Sequence, residues 1–492
     1  TGKAHYGADI RLPGLLYART LQSPHAHARI LSIDASKALA LPGVRAVVTA
    51  DDLAPLPDAD ADFGFKLMNV LARDKVFYKG HPIAAVCATS VHIADEALDL
   101  IEVDYEVLPA VFTAEEAMRE GAPVLHEHLP AHSPVTGDAP SKNIANRSES
   151  TLGDIAQGFA EAEVIVERET TTVAVHQGYI EPHSGTAQWH DDGSLTVWSS
   201  SQGHFSIRDF TAGALGIPVS KVKAVPLEIG GGFGAKLRAY VEPVAAALAR
   251  KAHAPVKLTM TRTEVFERTG PTSGSRIRVK LGATRDGRIL GQEMEIVTDN
   301  GAYMSAAPGV TFTAANYNIT TYSKVEHYRF AGRIVYTNKN YGGSYRGYGN
   351  PQGTFAREIH LDVLAEKLGL DPVTLRLKNV TESGDVSACG YRITSCGMRE
   401  CIEKAAGALD WAGKKKDRTF GRGIGIACAV HCGGGVRVYR NTDLCGVTAK
   451  MEDDGTVQVL TGATEIGSGQ DSVIAAVVAE ELGLSPEAVR IH

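Results

Sequence analysis

Four glycine-rich turns do most to limit what this 492-residue chain can fold into. They are Ser201-Gln202-Gly203, Gly230-Gly231-Gly232-Phe233-Gly234-Ala235-Lys236, Ser344-Tyr345-Arg346-Gly347-Tyr348-Gly349 and the stretch from Gly462 to Gln470. Three of them run into helix-like segments. Without a Cβ the backbone enters conformations closed to other residues, and its N–H groups approach a polar or anionic ligand at a helix start. The second turn lacks the Gly-Lys-Ser/Thr ending of a P-loop and the Gly-x-Gly-x-x-Gly spacing of a dinucleotide fold. Four such turns in one chain point to a large polar ligand wrapped by several segments.

Charge and composition narrow the classes further. A net charge of −7 disfavours a nucleic-acid partner, whose phosphates need a basic face. No apolar run approaches the ~20 residues of a membrane span, and no signal peptide opens the chain. Cysteines at 87, 389, 396, 401, 428, 432 and 445 are sparse and odd in number, which predicts a reducing, cytoplasmic location. They form no ferredoxin-type ligand run, and no flavin fingerprint is present. The cluster His126-Glu127-His128 with His132 reads as a polar loop, because its spacing does not aim the imidazoles at one ion.

Hydrophobic periodicity gives an α+β chain. Residues 1–110 mix short strands, such as Ala28 to Ile33 and Val44–Thr49, with short helices. Residues 111–160 show no clear period and read as a linker. From 161 to 380 longer elements follow: a strand Leu195–Ser199, a helix His204–Leu215, a hairpin at Asp286-Gly287 and a helix Gly353–Leu368. The segment 381–492 begins another domain. There Asp454-Gly455, the strand Thr456–Leu460, the helix ending at Gly483 and the strand at Val489 echo Asp192-Gly193, Leu195–Ser199, Gly216 and Val222. The echo predicts two related halves with a ligand between them. Thr1 is no initiator Met, and Val489-Arg490-Ile491 reads as a strand without a neighbour. A C-terminally incomplete second half, finished by an extension or another chain, is therefore expected.

In order and spacing, Gly230 to Lys236, Tyr345-Arg346-Gly347-Tyr348-Gly349-Asn350-Pro351-Gln352-Gly353 and Gly462-Ala463-Thr464-Glu465-Ile466-Gly467-Ser468-Gly469 resemble the molybdopterin-binding subunit of the xanthine dehydrogenase and aldehyde oxidase family. Thr1 to Asp9 and Ser23-Pro24-His25-Ala26-His27-Ala28-Arg29-Ile30 resemble that subunit's hammerhead domain. The resemblance covers essentially the whole chain. It implies a hammerhead domain followed by a two-part molybdopterin-binding region. It also implies a molybdenum–pyranopterin cofactor in dinucleotide form, with no direct side-chain ligand to the metal. By position, Gln202 matches a glutamine that hydrogen-bonds a molybdenum oxo group. Gly232, Phe233 and Gly234 match the turn facing the metal, Arg346 an arginine beside it, and Gly467 and Ser468 the loop along the pterin. Many relatives carry Gln where this chain has Ser468. The general base is a glutamate that the family places beyond residue 492; Glu181 and Glu465 belong to other motifs.

The resemblance further implies hydroxylation with water as oxygen source, electrons leaving through a small [2Fe–2S] subunit and, in many relatives, an FAD subunit. Leu237 stands where purine-oxidising relatives have glutamate, and Thr311 to Asn316 offers no arginine. Tyr348 takes the position of an aromatic that packs on flat substrates, and Cys428 falls near another pocket wall. These features favour a less polar aromatic, N-heteroaromatic or aldehyde small-molecule substrate. A reductive enzyme of the 4-hydroxybenzoyl-CoA reductase type and a non-catalytic cofactor-carrier fragment are the rival readings.

Overall fold

Leu195, Val197 and Ser199 are buried while Thr196 and Trp198 are half-buried, the period-two pattern of a strand with one face in the core. This strand belongs to the largest sheet of the computed structural model, which describes residues 4–56, 61–127, 142–417, 419–431, 433 and 445–492. The sheet has seven strands in the order Val222–Pro226, Leu195–Ser199, Ser184–Trp189, Val256–Thr259, Leu16–Gln22, Pro82–Ala88 and Val44–Thr49. Leu16 pairs in parallel with Val256, and Ala18 with Leu258. The N-terminal region and the region after residue 161 are thus welded into one sheet. Helix Glu242–Ala252 packs on this sheet. Its alanines at 245, 246, 247 and 249 are all buried, and their small side chains permit close approach to the strands.

A second sheet has five strands, ordered Ile144–Leu152, His327–Val335, Ile289–Asp299, Gly274–Ala283 and Val164–Thr172. The Asp286-Gly287 hairpin is present, with Gly287 at φ +87°. The linker expected over 111–160 is corrected here. Ile144–Leu152 pairs antiparallel with His327–Val335, and Ile155–Ala160 is a short helix capped by Asp154. The polar alternation of Asn146, Arg147, Ser148 and Glu149 hid an edge strand, since an edge strand buries little. Helix Asn350–Leu368 packs on strands Gly274–Ala283 and Val164–Thr172 and on helix Ala307–Thr320.

The echo seen in the sequence is structural. Leu195–Ser199 and Val222–Pro226 are parallel neighbours joined through helix His204–Leu215. Val457–Thr461 and Val489–Ile491 are parallel neighbours joined through helix Gln470–Leu482. Both helices end on a left-handed glycine with the same dihedrals, φ 66° and ψ 35°, at Gly216 and Gly483. Among the described helices none is long and apolar enough to cross a membrane.

One buried ionic cluster holds helix Asn350–Leu368 to its surroundings. Glu358 meets Arg357 at 2.8 Å and Arg376 at 2.9 Å, and both guanidiniums are fully buried. Tyr322 donates its hydroxyl to Glu358, and so does the backbone N–H of Cys428. Removing the carboxylate leaves the buried Arg357 without a counter-ion and Arg376 with Asp362 alone. Glu358→Ala is expected to destabilise the fold by about 3–5 kcal/mol, read as a lower urea midpoint in circular dichroism.

Candidate functional site

The site begins with a buried ion pair. Lys236 Nζ lies 2.6 Å from Glu181 Oε2, and the lysine side chain is fully buried. Desolvation lowers the lysine pKa, and the neighbouring carboxylate pulls the other way. Glu181 also accepts from the backbone N–H of Gly230 at 2.8 Å and of Gly7 at 3.1 Å. The pair thereby ties the N-terminal segment and both ends of the turn 230–236 together. His183, close by, is pushed well below the usual imidazole range, first by burial and then by the Lys236 charge.

The glycines of this turn are demanded by contact. A Cβ on Gly230 would lie 2.5 Å from Glu181 Cβ, and one on Gly232 would lie 2.6 Å from Gln202 Oε1. Gly234 sits at φ +107°, and a Cβ there would lie 2.7 Å from the Ser344 carbonyl. Phe233 holds a left-handed φ of +52° and is 44% exposed as a residue. A bulky residue in that conformation is strained, a feature that clusters at functional sites.

Gln202 is locked against this turn. Its backbone N–H donates to Lys236 O at 2.9 Å, and its Oε1 accepts from Gly234 N at 2.9 Å and Lys236 N at 3.3 Å. The carbonyl end of the carboxamide is therefore occupied, and Nε2 has no hydrogen-bond partner among the described residues. The third turn joins directly: Arg346 N donates to Phe233 O at 3.0 Å. Buried Gln177 holds Ser344 O and Gly270 O, both at 2.7 Å. The Arg346 side chain is exposed and makes no ion pair among the described residues.

The fourth turn arrives from the C-terminal unit. Thr464 Oγ1 lies 3.4 Å from His204 Nδ1, and a Cβ on Gly462 would lie 3.2 Å from the Phe205 ring. Both partners stand at the start of helix His204–Leu215, next to Gln202. Glu465 organises the turn by accepting from the N–H groups of Gly467, Gly469 and Asp471. Gly467 and Gly469 take φ +89° and +83°, and Ser468 hydrogen-bonds Gln470 at the start of helix Gln470–Leu482.

Beside the turns lies a cavity of about 570 Å³. Leu237 and Tyr348 line it. Tyr348 has φ +52°, and its ring would collide with any side chain at Gly309. Cys428 does not line it, which corrects that assignment: its side chain is packed in the second hydrophobic core beside Glu358. Sequence reasoning missed Phe65, Arg238, Tyr303, Ser305 and Tyr341 as lining residues. Phe65 lies on helix Ala61–Val70, whose Gly64 and Asn69 break its apolar pattern. Arg238, two residues after Lys236 at the end of the glycine turn, was the most legible of these.

His126 is a core residue. Its ring packs on Phe77 and Tyr336, its Nε2 lies 2.6 Å from Ala302 O, and burial lowers its pKa to about 4. His128, His132 and Cys432 lie outside the described residues, and among the described residues no group of three ligands is arranged for a metal ion.

Family models match three consecutive stretches. Residues 1–109 match the aldehyde oxidase and xanthine dehydrogenase a/b hammerhead domain, and 136–380 and 403–492 match two molybdopterin cofactor-binding domains. The chain is 34% identical to the nicotinate dehydrogenase large molybdopterin subunit of Eubacterium barkeri, over 85% of this chain and 95% of that protein. The chain belongs to the xanthine dehydrogenase and aldehyde oxidase family, as a molybdopterin-binding subunit. Another family member, the xanthine dehydrogenase molybdenum-binding subunit of Escherichia coli O157:H7, is 32% identical over the whole chain, which spans 65% of its length. The family's aldehyde oxidoreductase from Desulfovibrio gigas superposes with a TM-score of 0.85 at 29% identity, covering all of this chain and 54% of that one.

Glu465 offers a test of how the fourth turn is held. Burial acts to raise its pKa, and the N–H donors of Gly469, Asp471, Gly467 and Ser468 outweigh that and hold it below the usual glutamate value. A carboxyl lowered in the folded state stabilises above its unfolded pKa, and that contribution fades as pH falls through the lowered value. Protection of the Gly467, Gly469 and Asp471 amides against hydrogen exchange is expected to be full near pH 7 and to fall in acid. Glu465→Gln should lose it already at pH 7, with protection of strand Leu195–Ser199 unchanged.

Proposed function

We propose that the chain is the catalytic molybdenum subunit of a hydroxylase. It oxidises a flat aromatic, N-heteroaromatic or aldehyde substrate with water as oxygen source, and electrons pass to [2Fe–2S] and flavin partner subunits. The observation that carries this reading is Gln202: its carbonyl end is pinned by Gly234 and Lys236, while its Nε2 donor has no partner among the described residues. An amide so held is a preorganised donor for an oxygen ligand.

The residues fit the cofactor that the family implies. The turn Gly232-Phe233-Gly234 offers backbone without bulk on either side of Phe233, and Gln202 and Arg346 offer donors. Gly467 and Ser468 lie in the turn before helix Gln470–Leu482, held open by the Glu465 carboxylate, and this turn is assigned to the pterin of a dinucleotide form. When bound, the molybdenum–pyranopterin group supplies two-electron redox chemistry and activation of water. The chain's own part is to orient and to exclude water. Aromatic walls from Phe65, Tyr303, Tyr341 and Tyr348 select a flat ring.

Glu181 and Glu465 are both consumed by hydrogen bonds to their own loops, which supports assigning the proton acceptor to a glutamate beyond residue 492. Val447, Met451, Leu460, Val473, Val477 and Leu482 are exposed on the C-terminal unit, an apolar surface suited to cover by an extension or another chain.

In the intact, metal-loaded complex, Gln202→Ala is expected to lower turnover by ~10²–10³ with an unchanged far-UV circular dichroism spectrum, and to lower the thermal midpoint because Gly234 N and Lys236 N lose their acceptor. Wild-type turnover in that variant removes the assignment. Xanthine is expected to be a poor substrate, because Leu237 and the arginine-free helix Ala307–Thr320 leave two of its polar groups unpaired at about 1–3 kcal/mol each, and the single Arg238 guanidinium replaces at most one of those contacts. A panel of xanthine, aldehydes and heteroaromatics in 18O-labelled water checks this. Preference for xanthine defeats the pocket argument, and unlabelled product defeats the hydroxylase reading.

A further inference from the structure

We infer that the cavity recognises a planar substrate bearing a carboxylate, with Arg238 as the anion anchor and Ser305 as a hydrogen-bond donor to the same end. This rests on the hydroxylase reading and names the substrate class within it.

The charge of the cavity carries the argument. Arg238 and Lys66 line it, and no Asp or Glu does among the described residues. Arg238 is half-buried, on extended backbone directly after Leu237, and makes neither an ion pair nor a hydrogen bond among the described residues. Its charge reaches the Tyr240 and Tyr341 phenols, whose pKa values burial pushes up and Arg238 draws back. A guanidinium held in a partly dry wall without a counter-ion is an incomplete pair, and a carboxylate completes it in bidentate fashion.

Ser305 is the independent observation. Its Oγ is buried with no hydrogen-bond partner among the described residues, and its backbone sits at a left-handed φ of +45°. A buried hydroxyl left unpaired is costly, and a non-glycine residue held at positive φ is over-determined by its surroundings. Both costs are explained when a ligand oxygen reaches that hydroxyl.

The walls set the rest of the ligand. The rings of Tyr303 and Tyr341 meet edge-on with centroids 6.3 Å apart, and Phe65 meets Tyr303 at 5.8 Å. The Tyr341 hydroxyl is engaged with the Tyr240 hydroxyl, and Tyr303 Oη lies 3.3 Å from His81 Nε2. Their phenol ends are therefore occupied, and the rings offer apolar surface. Flat apolar walls with the unpaired Arg238 guanidinium and the Ser305 hydroxyl fit an aromatic or heteroaromatic carboxylate better than a neutral aldehyde or an uncharged ring.

The test titrates benzoate and its uncharged isostere benzamide into the metal-loaded complex by calorimetry at neutral pH. Benzoate is expected to bind about tenfold to hundredfold more tightly, the range of one charge-assisted hydrogen bond. Arg238→Met should bring benzoate to the level of benzamide, and Arg238→Lys should restore part of the difference. Raising the salt concentration should weaken benzoate alone in the wild-type protein, a readout that needs no variant. Equal affinities, absence of binding by both, or a preference that survives Arg238→Met overturns the inference. Oxygen from labelled water reports separately on the hydroxylase reading: label in uncharged ring products with no carboxylate preference sinks only the anchor. A carboxylate preference with no label in any product sinks only the reading it rests on.

Discussion

An ammonium taken out of water is tolerated only beside an opposite charge, and the pair of Lys236 and Glu181 is the constraint on which the site depends. Glu181 fills its remaining acceptor positions with the N–H groups of Gly230 and Gly7. One carboxylate therefore fixes where the glycine turn starts, where it ends and where the N-terminal segment crosses it. The backbone N–H of that same lysine holds Gln202, and the turn's Phe233 carbonyl receives Arg346. Geometry passes from a charge pair to a turn, and from the turn to the groups beside the cofactor position. No member of the chain is free to shift alone.

How far the sequence was readable follows from where information is local. The helix His204–Leu215 with its Gly216 stop and the Asp286-Gly287 hairpin both rest on residues within a few positions of each other, and the structure has both. The three linked motifs were legible because glycines are required there by backbone contact, as at Gly232 and Gly234. The edge strand Ile144–Leu152 was not, since its polar face meets solvent and only its partner His327–Val335 reveals it. Cys428, placed near a pocket wall by position in the family, enters the second core instead, because its backbone N–H is held by the buried Glu358. The cavity shows the same limit. Its walls come from helix Ala61–Val70, the turn after Lys236 and the segment around Ser305, and no local pattern joins them.

The recurrence of strand, helix and parallel strand at 195–226 and 457–491 gives the cofactor-binding region an internal likeness. The two copies meet where Thr464 approaches His204. In the first copy the helix is packed against helix Glu242–Ala252, whereas in the second it presents Val473 and Val477 outward. A shared pattern thus serves two environments, one closed and one open.

The weld between Leu16–Gln22 and Val256–Thr259 also governs how this protein is made. Arg19 binds the carbonyl of Thr259, 240 residues further along the chain. A strand that leaves the ribosome early must wait, with its backbone edge unpaired, until a partner that far downstream has been synthesised. Pairings of such long range close slowly, and waiting edges attract one another. Biogenesis is therefore the stage at which this chain is most exposed to misassembly, and a chaperone that shelters the N-terminal strands during translation would act on that interval.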